Sequence, residues 1–475
     1  MNSTGKSKMT SKTKAAKTAL RRVGGAGGAA VLMLASNSAF AIATGTDLNL
    51  SMKAASGGMA GAAYARPQEA SAAVFGNPAT MTQFSGTNFN FGAAYLVPEL
   101  EVTQTGAGAL DGVTGNVSKS GAENYVAPDL AVTHELGNGW YLGAGIEADA
   151  GLGADYRTSP ITVPSLSASP AVTGIPLVVE LVSFNVNLAA AKKVTPQTSV
   201  GAALTIGFGM AQLGTVGPAG AGFGPAGPFG MDLQLGGTTG SVHAFSVGGS
   251  LGVTHQLSPD LLLSAAVKSS VKYDFKNIVW GGTPGLAGPF GVSGVGFQNL
   301  GVEQPLEVVL GAAYDIAPNW MVEADLVWKN WSRAATYQDV FNDQFLLAVG
   351  SQYKTGPWSL RLGYSYAQDI LRDTPNNGAL GSVKNLGLVP LNGDLNKLVQ
   401  MTLVPVVFNH TLTAGVGYDL SKNIRLDTFA ALALKADATR TTNLGAGLTG
   451  LPVGSETYKA DIKVWSAGVG LSFKF

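Results

Sequence analysis

Cysteine is absent from this chain, so disulfides do not hold it together. Charge is scarce. Only 13% of the 475 residues are Asp, Glu, Lys or Arg, which is unusual for a soluble globule. Long apolar runs are missing too: none reaches the ~18 residues that would mark a transmembrane helix in the mature chain. Histidine is rare. His134, His243, His255 and His410 are the four, and no two have metal-ligand spacing. No metal site and no cofactor site is read from this chain. What it has in abundance is glycine, 64 residues, in a 46% hydrophobic composition.

The first residues read as a targeting segment. Lys6, Lys8, Lys12, Lys14, Lys17, Arg21 and Arg22 come with no acid among them. A short apolar stretch follows, then Ala39-Phe40-Ala41, an A-x-A cleavage pattern. Residues 1–41 are therefore expected to be a signal peptide. Without those seven cations the mature chain keeps 23 against 30 acids. That balance argues against nucleic-acid binding, which needs a basic stripe.

Period-2 alternation recurs along the rest of the chain. In WMVEADLVWK, Trp320, Val322, Ala324, Leu326 and Trp328 share one face, and Glu323, Asp325 and Lys329 the other. In WSLRLGYSY, Trp358, Leu360, Leu362, Tyr364 and Tyr366 alternate with Ser359, Arg361 and Ser365. A soluble sandwich also alternates, so the connections carry more weight. Short ones are predicted at 137–139, 194–197, 257–260, 317–319, 354–357 and 421–423. Long ones alternate with them, near 100–124, 157–177, 212–242, 277–303, 334–343, 368–406 and 436–460. An up-and-down meander puts all short turns at one end and all long loops at the other. That is the layout of an outer-membrane barrel. The pattern predicts an all-β, 14-stranded antiparallel transmembrane β-barrel. The last strand, VWSAGVGLSFKF, ends on Phe475, and Trp residues near strand ends suit interfacial girdles.

Few motifs point to chemistry. Gly248-Gly249-Ser250-Leu251-Gly252 matches G-x-S-x-G, yet it lies inside an alternating strand and not at a strand-to-helix elbow. With this much glycine, chance matches are expected, and no enzyme is read here. Two long loops are more informative. Residues 214–237 and 280–298 both contain AGPFG, and Asp232 is their only charge. Apolar loops facing water either cover one another as a lid or bind something greasy. Phe229 and Phe290 are the centre of that expected capture surface. In the strands, Lys268 and Lys272 share the polar face with Asp274, and Lys329 and Arg361 are inward by phase. Lys268, Lys329 and Arg361 are candidates to meet an anionic head group, although pairing with inward acids is the commoner fate of such cations.

One segment fits no strand. GNPATMTQF, Gly76–Phe84, follows a run of small residues and precedes TNFNFGAAYLVPEL. Together with LGVTHQLSPDLLLSAAVKSSVKYDF, PLEVVLGAAYDIAPNWMVEADLVWKNWS and WSLRLGYSYAQD, it resembles the FadL/TodX family of outer-membrane transporters for long-chain fatty acids and other hydrophobic compounds. The resemblance covers essentially the whole mature chain. It implies that residues 42–87 fold inside the barrel as a plug, or hatch, with residues 88–475 as the barrel itself. Asn77, Pro78 and Ala79 match the family's hatch motif, and the two AGPFG loops match its capture loops. The stretch EADAGLGADY matches the family's kinked third strand, with Gly151, Leu152 and Gly153 at the kink that opens the wall sideways. The implied activity is passive uptake in the bacterial outer membrane, with long-chain fatty acids as the first expected cargo. Aromatic hydrocarbons or alkanes are the alternative cargo, and a surface adhesin or phage receptor the alternative function. The implied partners are the hydrophobic cargo, outer-membrane lipids or lipopolysaccharide, and the barrel-assembly machinery, with the protein as a monomer.

Overall fold

The fold is a closed antiparallel barrel of fourteen strands in a computed structural model. The structure describes residues 50–475 except 107–115, 163, 165–174, 216–236, 239, 282–295, 377–384, 387–388, 391, 406–408, 445 and 447–453. The expected signal peptide and the capture residues Phe229 and Phe290 lie outside the described residues. The first strands are β1 (Thr87–Gly106), β2 (Tyr125–Gly137), β3 (Trp140–Asp155), β4 (Leu177–Lys193), β5 (Thr198–Thr215) and β6 (Val242–Ser258). Strand β7 runs in two pieces, Leu261–Lys268 and Val271–Gly281, as does β8, Gly296–Gln304 and Glu307–Ala317. Then come β9 (Trp320–Lys329), β10 (Gln344–Thr355), β11 (Trp358–Ala367), β12 (His410–Asp419), β13 (Ile424–Thr442) and β14 (Glu456–Lys474).

Closure is made by β1 and β14, in register from Asn88↔Lys474 to Gly106↔Glu456. Closing the sheet removes both edges, so backbone groups at membrane depth find partners within the wall. The six short turns fall where the sequence predicted them. In the first, Asn138 (φ 53°) and Gly139 (φ 74°) supply the left-handed backbone that a two-residue hairpin needs.

The faces settle the choice between sandwich and membrane barrel. Trp320, Leu326, Trp358, Leu360, Leu362, Leu412, Val416, Trp465 and Val469 are exposed. Glu323, Asp325, Lys329, Ser359, Arg361, Thr413 and Ser466 are buried. The apolar face points outward and the polar face inward, the reverse of a soluble core.

Several strands run longer than expected. The sequence suggests a loop from about residue 100, but β1 continues to Gly106. Beyond the level of Trp465 and its partner Val97, outward residues turn charged: Glu99 pairs with Lys463, and Asp461 with Lys435. Above the hydrocarbon both faces can be polar, so alternation fades and the strand reads as loop.

A second correction concerns β7. Lys268 and Lys272 do not share a face. The strand is interrupted at Ser269–Ser270, and beyond it Val271, Tyr273 and Phe275 are buried while Lys272 and Asp274 are exposed. Two irregular residues reset the phase, and a strict period-2 count cannot see that.

Candidate functional site: a filled barrel with an interrupted wall

Residues 50–84 pack against inward side chains from opposite sides of the barrel. The segment is built from short pieces: 3-10 turns at Leu50–Met52, Ser56–Met59 and Pro78–Gln83, and one short helix, α1 (Ala70–Phe75). Small residues here make a compact irregular chain, where the sequence showed only weak amphipathicity. Asn77 caps the last turn, with Pro78 at its first position. Its side-chain oxygen accepts from the Ala79 N–H at 3.1 Å. Its amide donates to the carbonyls of Tyr64 (3.1 Å) and Val253 (3.3 Å), the second of them in the wall.

The glycine content has a reason here. A Cβ on Gly201 of β5 would sit 2.4 Å from the Ala79 nitrogen, and one on Gly252 of β6 would sit 1.9 Å from the Asn77 oxygen. On the far side, Gly350 and Gly363 press against Met59 in the same way. Bare backbone on the inner face lets the segment approach the wall. The G-x-S-x-G stretch is thus part of this seat. Its Ser250 is buried and has neither histidine nor elbow beside it.

Charged groups fasten the segment. Asp325 of β9 accepts from the backbone N–H of Ala63 (2.8 Å) and of Tyr64 (3.1 Å). Glu323 accepts from those of Ala65 (2.7 Å) and Arg66 (3.1 Å). Glu69 folds back onto the Ala55 and Ser56 N–H groups and the Ser56 hydroxyl. Burial pushes the Glu69 carboxyl above its ordinary range, the nearby Asp129 charge adds to this, and those hydrogen bonds only partly oppose it. Lys53 makes a buried ion pair with Glu147. Desolvation would lower the Lys53 pKa, but Glu147 and Asp129 together raise it.

The inward cations expected to meet an anion all have acidic neighbours. Lys329 sits 3.0 Å and Lys268 3.5 Å from the two oxygens of Glu307. Arg361 donates to Asp427 at 2.7 Å and to Gln352 at 2.8 Å.

Among the described residues the wall parts at two seams: β6 and β7 pair only from Ser258↔Leu261 to Ser250↔Lys268, and a second break lies between β2 and β3. Their pairing runs from Gly137↔Trp140 to Asp129↔Glu147 and stops. Residues 125–128 of β2 stay paired with β1, and β3 stays paired with β4 through a bulge between Ala148 and Ala150. The two sides meet again at Gly121 N–H to the Asp155 carbonyl, 2.8 Å. Between those points β2 and β3 are not in register. Gly151, Leu152 and Gly153 lie on that stretch of β3, one step past the bulge.

The end with the long loops carries an apolar cleft of about 110 Å³. Leu181, Leu213, Ile278, Val302, Tyr337 and Val399 are among its lining residues. Helix α2 (Gly393–Thr402) forms part of its roof, held by Gln400 to the Val340 carbonyl (2.8 Å) and by the Tyr156 hydroxyl to the Thr402 carbonyl (2.9 Å). Sequence reading missed this cleft. Its residues come from four strands and two loops, and the only sequence signal was the weak amphipathic turn at 393–402.

This arrangement matches a known family. The model of the outer membrane protein transport proteins (OMPP1/FadL/TodX) fits residues 33–378. The chain belongs to this FadL/TodX family. It is thus an outer-membrane transport protein, and its relatives are transporters and channels, not enzymes. It is similar to the long-chain fatty acid transport proteins of Escherichia coli O6:H1 (23% identical over 329 residues, 61% of this chain and 70% of that one) and of Salmonella typhi (23% over 323 residues, with the same coverage). Among solved structures, the Pseudomonas putida toluene transporter TodX superposes with a TM-score of 0.59 at 20% identity, covering 90% of this chain and 99% of TodX. A Pseudomonas aeruginosa FadL homologue gives 0.62 at 15% identity, covering 92% of this chain and all of that one. At these identities the likeness shows the FadL/TodX fold and leaves the cargo open.

Proposed function

We propose that the protein passively carries hydrophobic compounds across the outer membrane, with residues 42–87 as a hatch and the β2–β3 break as a lateral exit. One observation carries the reading: an apolar cleft at the long-loop end and a wall interruption are both present on a barrel whose interior is filled. A filled interior is a poor pore for water-soluble solutes. A sideways path suits an apolar solute, which would otherwise forfeit roughly 0.8 kcal/mol per CH₂ by passing through water. Cargo enters at the cleft, the hatch shifts within the barrel, and the cargo leaves between β2 and β3 into the bilayer. Asn77, Pro78 and Ala79 act as the hatch seat, and Gly151, Leu152 and Gly153 give β3 room to bend.

The test is uptake of labelled oleate and labelled toluene by cells whose outer membrane limits entry, with and without this protein. Faster entry of either supports transport, and the ratio ranks fatty acid against hydrocarbon. Unchanged entry of both shifts the reading to an adhesin or phage receptor. A disulfide engineered between β2 and β3, clean in a chain without cysteine, should slow uptake several-fold and release it on reduction.

A further inference from the structure

The interior also bears on the chemistry of the cargo. A polar chamber of about 50 Å³ lies beside the hatch tip Phe75 and is lined by residues of β3 to β8. Its charged lining is Glu147, Asp149 and Glu307 against a single Lys268. The apolar cleft near the long loops has two charged lining residues, Glu180 and Asp339, and both are acids. Neither compartment offers an excess positive charge. The inward cations nearest the route, Lys53, Lys268, Lys329 and Arg361, all sit in ion pairs with carboxylates. From residue 42 onward only one cation, Lys384, falls outside the described residues.

The chamber holds neutral hydrogen-bonding groups instead. Asn185, Asn187, Ser250 and Gln304 line it, each no more than 7% exposed. Among the described residues, the Asn185 and Asn187 side-chain oxygens, the Ser250 hydroxyl and both ends of the Gln304 amide find no hydrogen-bond partner. Such buried groups are costly unless a partner arrives, and amides and hydroxyls serve donor and acceptor alike. A carboxylate entering here would meet more acid than base and would have to displace Glu307 from two lysines.

We propose that the cargo carries an uncharged hydrogen-bonding head group, such as a hydroxyl, on an apolar body, and that the chamber lined by Asn185, Asn187, Ser250 and Gln304 receives it. The assignment rests on the transport reading above, and binding and flux separate the two. The experiment titrates the purified full chain in nanodiscs with 1-octanol, octanoate and octylammonium at pH 8, three heads on one chain. Octanol should bind at least tenfold tighter than either ion, and Ser250→Ala with Asn185→Ala should weaken octanol severalfold. Glu307→Gln, which releases two lysines, should tighten octanoate severalfold relative to octanol. Octanoate or octylammonium binding as tightly as octanol in the unaltered protein would overturn the proposal, as would no octanol binding at all. That ranking needs no variant to fold. Octanol binding without faster octanol entry into cells would sink the transport reading and leave the head-group assignment standing.

Discussion

At the scale of single residues, the inner wall works by what its glycines omit. Gly252 has no room for a methyl group, because the Asn77 oxygen occupies the place. Gly252→Ala should unseat the hatch at a cost of about 1–3 kcal/mol. The expected signature is faster tryptic cleavage after buried Lys53, with a barrel that still shifts on heating in gels. Glu69 adds a pH dependence. Its carboxyl is raised in the seated hatch and ordinary when the hatch is released, so the seated form binds the proton more tightly. Seating is therefore firmest in acid and weakens as pH rises through and above the ordinary carboxylate range. Protection of the Ala55 and Ser56 amides, their hydrogen-exchange rate taken relative to that of a free amide at the same pH, should fall toward high pH. Glu69→Gln should flatten the trend, and an opposite slope would contradict the assignment.

Among the elements, β2–β3 is one of two seams, with β6–β7, whose strands run on past the end of their pairing. The β1–β14 seam keeps register for its whole length, whereas β2–β3 parts beyond Asp129↔Glu147. Amides of β3 between 148 and 154 that face β2 should exchange much faster than those of the β1–β14 seam. Equal protection at both places would mean that the wall is closed in the membrane. The sequence half-announced this feature: two glycines flank Leu152 where alternation falters. It could not announce the loss of pairing, because that depends on Pro128 and its neighbours staying with β1. The strand tops show the same limit. Asp437 and Lys459 read as loop residues singly, and only the register joins them across a strand pair.

For the whole molecule, the filled interior is expected to govern permeation. The intact protein should conduct poorly in planar bilayers. Deleting residues 50–86 should raise single-channel conductance severalfold if the barrel still inserts, and unchanged conductance would mean that other residues block the pore. Alternation, turn spacing and the low charge were enough to define a fourteen-stranded outer-membrane barrel, because each strand must show lipid one face and the interior the other. Those are local demands, written at fixed spacing along the chain. The hatch seat, the acidic neighbours of Lys268, Lys329 and Arg361, the phase reset in β7 and the apolar cleft were decided only by tertiary structure. Each joins residues tens to hundreds of positions apart, as Ala63 joins Asp325. Phase along a strand says that a lysine points inward, and only the closed barrel says which acid is waiting there.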